Sequence, residues 1–546
     1  MPRLLTPAER WILRGALAIL LIAVVLSLGH FFANHLVATP RTGGAYREAV
    51  VGTPRLINPI LAVSDVDRDL TRLIYSGLLK YNNQGELVGD LAETYNIEKD
   101  GLKIRFTLRD NLSWHDSEPL TSDDLIFTLE AIKNPAWRSP LWRSFQNITA
   151  EKIDERTITI TAEAFISELP HLFTFGILPK HIWEQVDPKS ASLAVWNLKP
   201  IGSGPFEFDS LAKTYDGTLN LYRLAHNNQY YNGAPYLNEI VLQFFPDFES
   251  AIQALREHTV DGVSFVPGRL QEKIPASGIN LITAQFPHFT SLFFQSRKAP
   301  ALRDKAVRQA LGQALDRSAI SALVPNAKPS ATPFIENQIG YARTMSLPQA
   351  NLEQAKQTLE KAEWKKDDKG WIKDGKRLIL TLTTLDDPIN LAVADATKKS
   401  WEQLGVEVKL EAAHRVAFER EVIRPRAYEV LLFSSIGSAD PDPYAFWHST
   451  QIDDPGLNLS DIAVRNIDLS LEQGRTTTIP AERFNAYFQF QQLLISEAPG
   501  IILYSSPYPY AVSKKVRGIA IETMAVPADR WNGVEKWFVR SRPGWK

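Results

Sequence analysis

The sequence predicts an α/β fold of several domains behind one apolar N-terminal helix. Three observations carry this expectation. The chain has 546 residues, enough for two to four domains at roughly 100–200 residues each. Between Leu378 and Phe433, strand-like and helix-like segments alternate, the rhythm of βαβ units whose sheet is mostly parallel. Residues 15–38, finally, carry no charge apart from two histidines.

That apolar run comes first along the chain. Residues 11–32 reach the ~20 needed for a spanning helix, with Arg3, Arg10 and Arg14 on the N-terminal side. Such a flank keeps that end cytoplasmic and the bulk of the chain outside. A cleaved signal peptide is the rival reading, but its apolar region is shorter, about 7–15 residues. The expectation is a cytoplasmic tail at 1–10, a single-pass transmembrane anchor at 11–32 and a linker at 33–44.

The rest has a globular composition, 44% hydrophobic and 22% charged. Lys plus Arg number 60 against 62 acids, so no bulk field exists to draw in nucleic acid. With no cysteine, disulfides, thiolate metal sites, Cys nucleophiles and a lipid-bearing cysteine are all excluded.

Further along, Lys103–Leu108 and Thr157–Ile160 alternate polar with apolar residues, as half-buried strands do. Thr121 followed by Ser-Asp-Asp starts a helix, with a cap and acids in its first turn. The spacing of Val307, Ala310, Leu311, Ala314 and Leu315 predicts one helix face over 304–320. Helices are expected at 352–363, 390–404 (closed by Gly405) and 414–423. Strands are expected at 378–385, 406–410 and 428–433. The DPIN segment at 387–390 reads as an ordinary surface loop.

One loop stands out after the last of these strands: SIGSADPDPYAF, residues 435–446. Asp440 and Asp442 both precede proline, which stiffens the loop. Its position suits a site, because open α/β sheets bind ligands beyond the carboxyl ends of their strands. Nothing nearby separates the two carboxylates into acid and base. Each remains open to a structural role, accepting loop N–H groups, or to a role as a ligand handle. His115-Asp116 has the look of a base with its orienting acid, yet no G-x-S-x-G nucleophile motif is present. His171 and His181 lack metal-site spacing.

Residues 73–132, LIYSGLLKYNNQGELVGDLAETYNIEKDGLKIRFTLRDNLSWHDSEPLTSDDLIFTLEAI, resemble the signature region of extracytoplasmic solute-binding proteins of the peptide/nickel class (family 5), which serve ATP-driven importers. LINP at 56–59, IGSGPFEF at 201–208, the stretch 302–320 and the stretch 483–504 match in the same order, so the resemblance covers about 45–540. It implies a two-lobed, hinged periplasmic-binding-protein-like fold. Lobe I would be 45–292 with an extra subdomain at about 60–199, lobe II 293–500, and 501–546 a return to lobe I, with crossings near Phe293 and Ile501.

The resemblance also implies site residues. Asp440 matches the position that holds a peptide's amino group, although Gly437 stands where peptide binders commonly place a Trp. Asp442 and Ser438 share its loop, Ser64 and Asp65 lie where relatives line the cleft, and Trp142, Tyr444 and Trp447 are candidate cleft aromatics. The function implied is a non-enzymatic, monomeric binder without a cofactor. It would capture an oligopeptide-like solute and deliver it to ABC permease subunits. A nickel chelate or other non-peptide solute is the alternative; from other classes come an anchored hydrolase and a sensor or scaffold that kept the fold.

Overall fold

The computed structural model of the chain describes residues 7–98, 101–165, 167, 169–336 and 338–545. Two mixed sheets dominate it. The first, of seven strands, runs in the order Ile279–Ala284, Tyr508–Ser513, Gly262–Val263, Ala45–Val51, Glu239–Phe245, Leu219–His226, Phe206–Lys213. In the second, of six strands, the order is Lys328–Pro329, Gly500–Ser505, His288–Phe294, Val430–Ile436, Ile379–Leu385, Glu407–Ala413. The parallel pairings are 45–51 with 239–245 and 262–263, at the centre of the first sheet, and 379–385 with 407–413 and 430–436, at one edge of the second.

The three strands of the 378–433 block are parallel to one another as expected, but both whole sheets contain more antiparallel than parallel pairings. Part of the cause is the meander of 206–213, 219–226 and 239–245 in the first sheet, and the rest is the connection between lobes. Strand 279–284 belongs to the first sheet, 288–294 to the second, and only 285–287 separates them. The return runs from 500–505 through 506–507 to 508–513. Of these, 508–513 and 288–294 run against the parallel strands of their sheets, and 279–284 and 500–505 then pair antiparallel with them. The crossings thus lie at 285–287 and 506–507, several residues from the expected 292/293 and 500/501 boundaries. Each contains a proline (Pro287, Pro507), whose fixed φ limits the ways a short crossing can bend.

Alternation along the strands sorts the second lobe's core into two layers. Leu292, Phe294, Leu432, Ile501 and Leu503 pack on one side with Trp371 and Trp401; Phe289, Phe293, Leu431 and Ile502 face the other with Trp447 and Tyr487. Buried Trp401 also donates its indole N–H to the Leu311 carbonyl at 3.0 Å. A four-stranded antiparallel sheet (Ala92–Ile97, Lys103–Leu108, Thr157–Ala162, Ile148–Lys152) makes a small subdomain. Its Ile104, Phe106 and Ile160 belong to the same apolar cluster as Tyr46 and Leu242 of the first lobe. The subdomain and first lobe are therefore one packed unit.

Helix signals hold with two exceptions, one of them the helix expected at 414–423, which is a single α-helical stretch Arg415–Ala417 continued as a π-helix over Phe418–Ile423. Thr121 caps Ser122–Lys133 in a full capping box with Asp124, and Gly405, at φ +102°, closes Pro388–Leu404. The single helix expected over 304–320 is two, Lys305–Gln313 and Arg317–Ser321. Asp316 breaks it by accepting the N–H groups of Ser318 and Ala319, both at 3.0 Å, a fresh N-cap in mid-pattern.

The expected membrane span lies within the helix Pro7–His35. Among the described residues, no helix is long and apolar enough to cross a membrane. Positions 12, 25–26 and 28–32 of the expected span fall outside the residues whose side chains are described. The expected linker at 33–44 contains a strand, Leu36–Arg41, which pairs antiparallel with Arg540–Trp545.

Candidate functional site

A cavity of about 620 Å³ lies between the lobes, against both crossings. Its size is that of a small-molecule site. It opens at the carboxyl ends of the parallel strands of both sheets. Val50 and Val51 close strand 45–51, Ser264 and Phe265 follow 262–263, and Phe248 follows 239–245. From the second lobe come Asp387 after 379–385, Arg415 after 407–413, and Ser434 and Ile436 from 430–436. Crossing residues Phe286, Ser506 and Pro507 complete the wall.

The floor on the first lobe is a buried ion network. Arg530 holds Glu48 Oε1 through Nε and Nη2 (2.9 and 2.7 Å) and both oxygens of Asp69 (2.5 and 2.6 Å). Tyr46 and Tyr510 donate to Glu48 Oε2 at 2.7 and 2.9 Å. All five are buried. Burial pushes the Asp69 carboxyl up to about 6, against the pull of Arg530. A buried charge cluster of this kind is tolerated only when fully hydrogen-bonded, which this one is through residues 461–482 positions apart.

The lobes touch at the cavity's lip. Asn326 donates to Gln271 Oε1 at 2.7 Å across the gap. Arg269, paired with Glu249, lies within electrostatic reach of Asp387 on the opposite lobe. Gly268 approaches Pro325 and Ile389 so closely that a Cβ there would sit 2.7 Å from Ile389 Cδ1 and 3.3 Å from Pro325 Cδ.

Of the eight expected site residues, Asp65 lines this cavity. Its carboxylate is 64% exposed and loosely paired with Arg68 at 3.5 Å. Ser64 caps the helix Asp65–Ile74, donating to Asp67 Oδ2 at 2.6 Å and accepting the Asp67 N–H at 3.1 Å. Trp142, 39% exposed, opens the short helix Trp142–Phe145.

The other five share the 438–447 loop, none of whose residues lines the large cavity. Asp440, 4% exposed, is gripped at both oxygens by Arg483 (2.7 and 2.9 Å). Asp442 pairs with Arg475 Nε at 2.7 Å and accepts the Tyr444 N–H at 3.1 Å. Ser438 donates its hydroxyl to the Asp440 carbonyl. The Arg475 guanidinium sits 4.2 Å from the Tyr444 ring centroid, whose other contact is a 4.0 Å stack on His448. Trp447 is buried against Phe293 at 5.6 Å. Beside the loop is a crevice of about 20 Å³, room for roughly one water.

The histidines have structural partners. His115 accepts the Gly202 N–H through Nδ1 and donates from Nε2 to the Gly204 carbonyl, both at 3.1 Å. It thereby pins the IGSGP turn as a neutral ring, and burial pulls its pKa down to about 4. Asp116 bonds His181 at 2.9 Å instead of His115, and His171 bonds the Tyr81 hydroxyl at 2.7 Å. Among the described residues no three His, Asp or Glu side chains are grouped to hold a metal.

Asp387, Arg415, Arg269 and the Arg530 network are site residues that sequence reasoning passed over. Asp387 sits in the DPIN segment, which is a cavity wall and the N-cap of Pro388–Leu404 rather than an ordinary surface loop. The signal was available: the rule that ligands gather beyond strand carboxyl ends applies to 379–385 and 407–413 as much as to 430–436.

Known proteins with this arrangement are numerous. Oligopeptide-binding protein AppA of Bacillus subtilis is 24% identical over 514 residues, covering 92% of each chain; its solved structure with a nonapeptide superposes with a TM-score of 0.71, over 92% of this chain and 100% of that one. The substrate-binding protein CtaP of Listeria monocytogenes gives a TM-score of 0.80 at 24% identity, over 92% and 100%. NikZ of Campylobacter jejuni, solved with Ni(L-His), gives 0.74 at 24% identity, over 90% and 99%. The model of the bacterial extracellular solute-binding proteins, family 5 (middle region), matches residues 86–455. With two lobes, a double crossing and that match over most of its length, this chain belongs to the family-5 bacterial extracellular solute-binding proteins.

Proposed function

We propose that this protein captures a short peptide between its lobes and delivers it to the permease of an ABC importer, without chemical turnover. The observation that carries the reading is the cavity's balance of charge. Asp65 and Asp387 oppose Arg269 and Arg415 above a floor where Asp69 and Arg530 neutralise one another, with apolar wall from Val50, Phe248, Phe265, Phe286 and Ile389 between them. Balanced, separated charges around apolar surface suit a zwitterion with side chains better than a bare ion. AppA, bound to a nonapeptide, supports the same class. Closure by contacts at the lip would hide the solute and create the shape that a permease reads.

The 438–447 loop argues for binding over hydrolysis. Asp440 and Asp442 are each neutralised by an arginine, so neither is poised as a free acid or base. The helix Pro7–His35 serves in this reading as a single-pass tether holding a monomeric binding domain outside the cytoplasm. Exposed Leu17, Ile19, Leu20, Leu21 and Ile22 support that role, since apolar patches of this kind mark membrane or protein contact.

A nickel chelate is the second reading. It draws on NikZ and on His288, a cavity residue that burial keeps neutral, with its pKa lowered to about 4. Native mass spectrometry of the purified protein, with metal analysis of the released solute, separates the two. Peptide masses without nickel support the first reading; nickel with a small organic chelator contradicts it.

A further inference from the structure

The cavity's charged side chains are unequally committed. Arg530 is saturated by Glu48 and Asp69. Arg269 has Glu249 beside it and Asp387 across the lip. Asp387 accepts the N–H groups of Ile389 and Asn390 at 3.0 and 3.4 Å. Arg415 differs. It is exposed at the carboxyl end of 407–413 and lines the cavity from the second lobe. Among the described residues nothing accepts a hydrogen bond from its guanidinium or pairs with its charge.

Neighbouring acids are already taken. Glu419 pairs with Arg424 at 2.8 Å, Glu421 with Arg420 at 2.6 Å, and Asp386 with His414 at 3.2 Å. An unpaired arginine in open water is unremarkable. One on the wall of a cavity that closes round a solute is different, because closure strips water from the charge and leaves it to be paired or penalised. The guanidinium's planar fork matches a carboxylate with two parallel hydrogen bonds.

We propose that Arg415 is the carboxylate-binding residue of this cavity, pairing with a carboxyl group of the captured peptide as the lobes close. This rests on the peptide reading above. Asp65, the loosely held carboxylate on the facing lobe, is the complementary partner for the peptide's ammonium. Because Arg415 and Asp65 stand on different lobes, a zwitterion bridging them draws the lobes together, whereas a solute lacking the carboxylate leaves Arg415 desolvated without a partner.

The test uses the full chain in detergent and two random tetrapeptide pools with free amino termini, one with free carboxyl termini and one amidated. Retention is read by equilibrium dialysis and mass spectrometry. Wild type should retain the free-acid pool at least about tenfold better, the scale of charge-assisted hydrogen bonds. Arg415→Gln should erase that preference without changing retention of the amidated pool, and Arg415→Lys should restore part of it. If retained amidated peptides are enriched in Asp or Glu, in wild type and not in Arg415→Gln, the carboxylate comes from a side chain and the assignment of Arg415 stands. Equal retention of both pools by wild type, with no such enrichment, overturns the assignment, as does an undiminished preference in Arg415→Gln. Retention of neither pool overturns the peptide reading itself.

Discussion

Replacing Gly268 with leucine puts a wedge between the lobes. The backbone of Gly268 is not in the left-handed region, so a side chain there meets no intrinsic strain and the first lobe should fold normally. The obstacle is the second lobe. A Cβ alone would lie 2.7 Å from Ile389 Cδ1 and 3.3 and 3.5 Å from the Pro325 ring, where carbon atoms prefer about 3.5–4.0 Å. The Ile389 tip can rotate away, but the Pro325 ring cannot, and the remaining carbons of leucine have nowhere to go while the lobes touch. Overpacking of this kind costs about 1–3 kcal/mol, and here it is charged to closure rather than to folding. Solute affinity should fall about 5- to 150-fold, with the urea midpoint unchanged and a larger radius of gyration by small-angle scattering. Wild-type affinity together with wild-type compactness would refute the claim that this lip closes the site.

Other outcomes follow from the same geometry. Asp440→Asn leaves the Arg483 guanidinium, 11% exposed, without its counter-charge, and should lower unfolding free energy by a few kcal/mol, about the ~3–5 of a broken buried pair. Asp442→Asn should cost about 1 kcal/mol or less, because Arg475 is 38% exposed; equal urea midpoints for the two variants would contradict this. His115 has a folded pKa of about 4, below the ordinary ~6.5. The unfolded chain therefore binds more protons between those values, and the ring's contribution is complete above pH 6.5 and lost as pH falls toward 4. Between pH 7.5 and 5 that loss is about 2 kcal/mol, and chemical denaturation of His115→Gln at both pH values should show a correspondingly shallower pH dependence. The full chain should stay with membranes through high-salt washing; a soluble, N-terminally trimmed form recovered from cells would contradict the tether.

The elements of the second lobe were largely legible from sequence, because periodicity is a local signal. Strands expected at 378–385 and 428–433 are Ile379–Leu385 and Val430–Ile436, and the helix closed by Gly405 ends there. What stayed hidden depends on contacts remote in the chain. Arg483 is 43 residues from Asp440, and no local pattern announces that this carboxylate already has a cation. The floor of the cavity joins Glu48 and Asp69 to Arg530 through more than 460 residues of chain. Asp387 and Arg415 were within reach of reasoning, since both directly follow strands placed correctly. The 438–447 loop has the more conspicuous composition, but its prolines and acids stiffen it around two internal ion pairs.

Where the solute sits is the point on which everything else depends, and a crystal structure of the protein grown with the free-acid tetrapeptide pool decides it. A peptide lying in the 620 Å³ cavity, its termini directed at Asp65 and Arg415, is the predicted result. A peptide lodged against the 438–447 loop, with its ammonium on Asp440 and Arg483 displaced, would contradict the account.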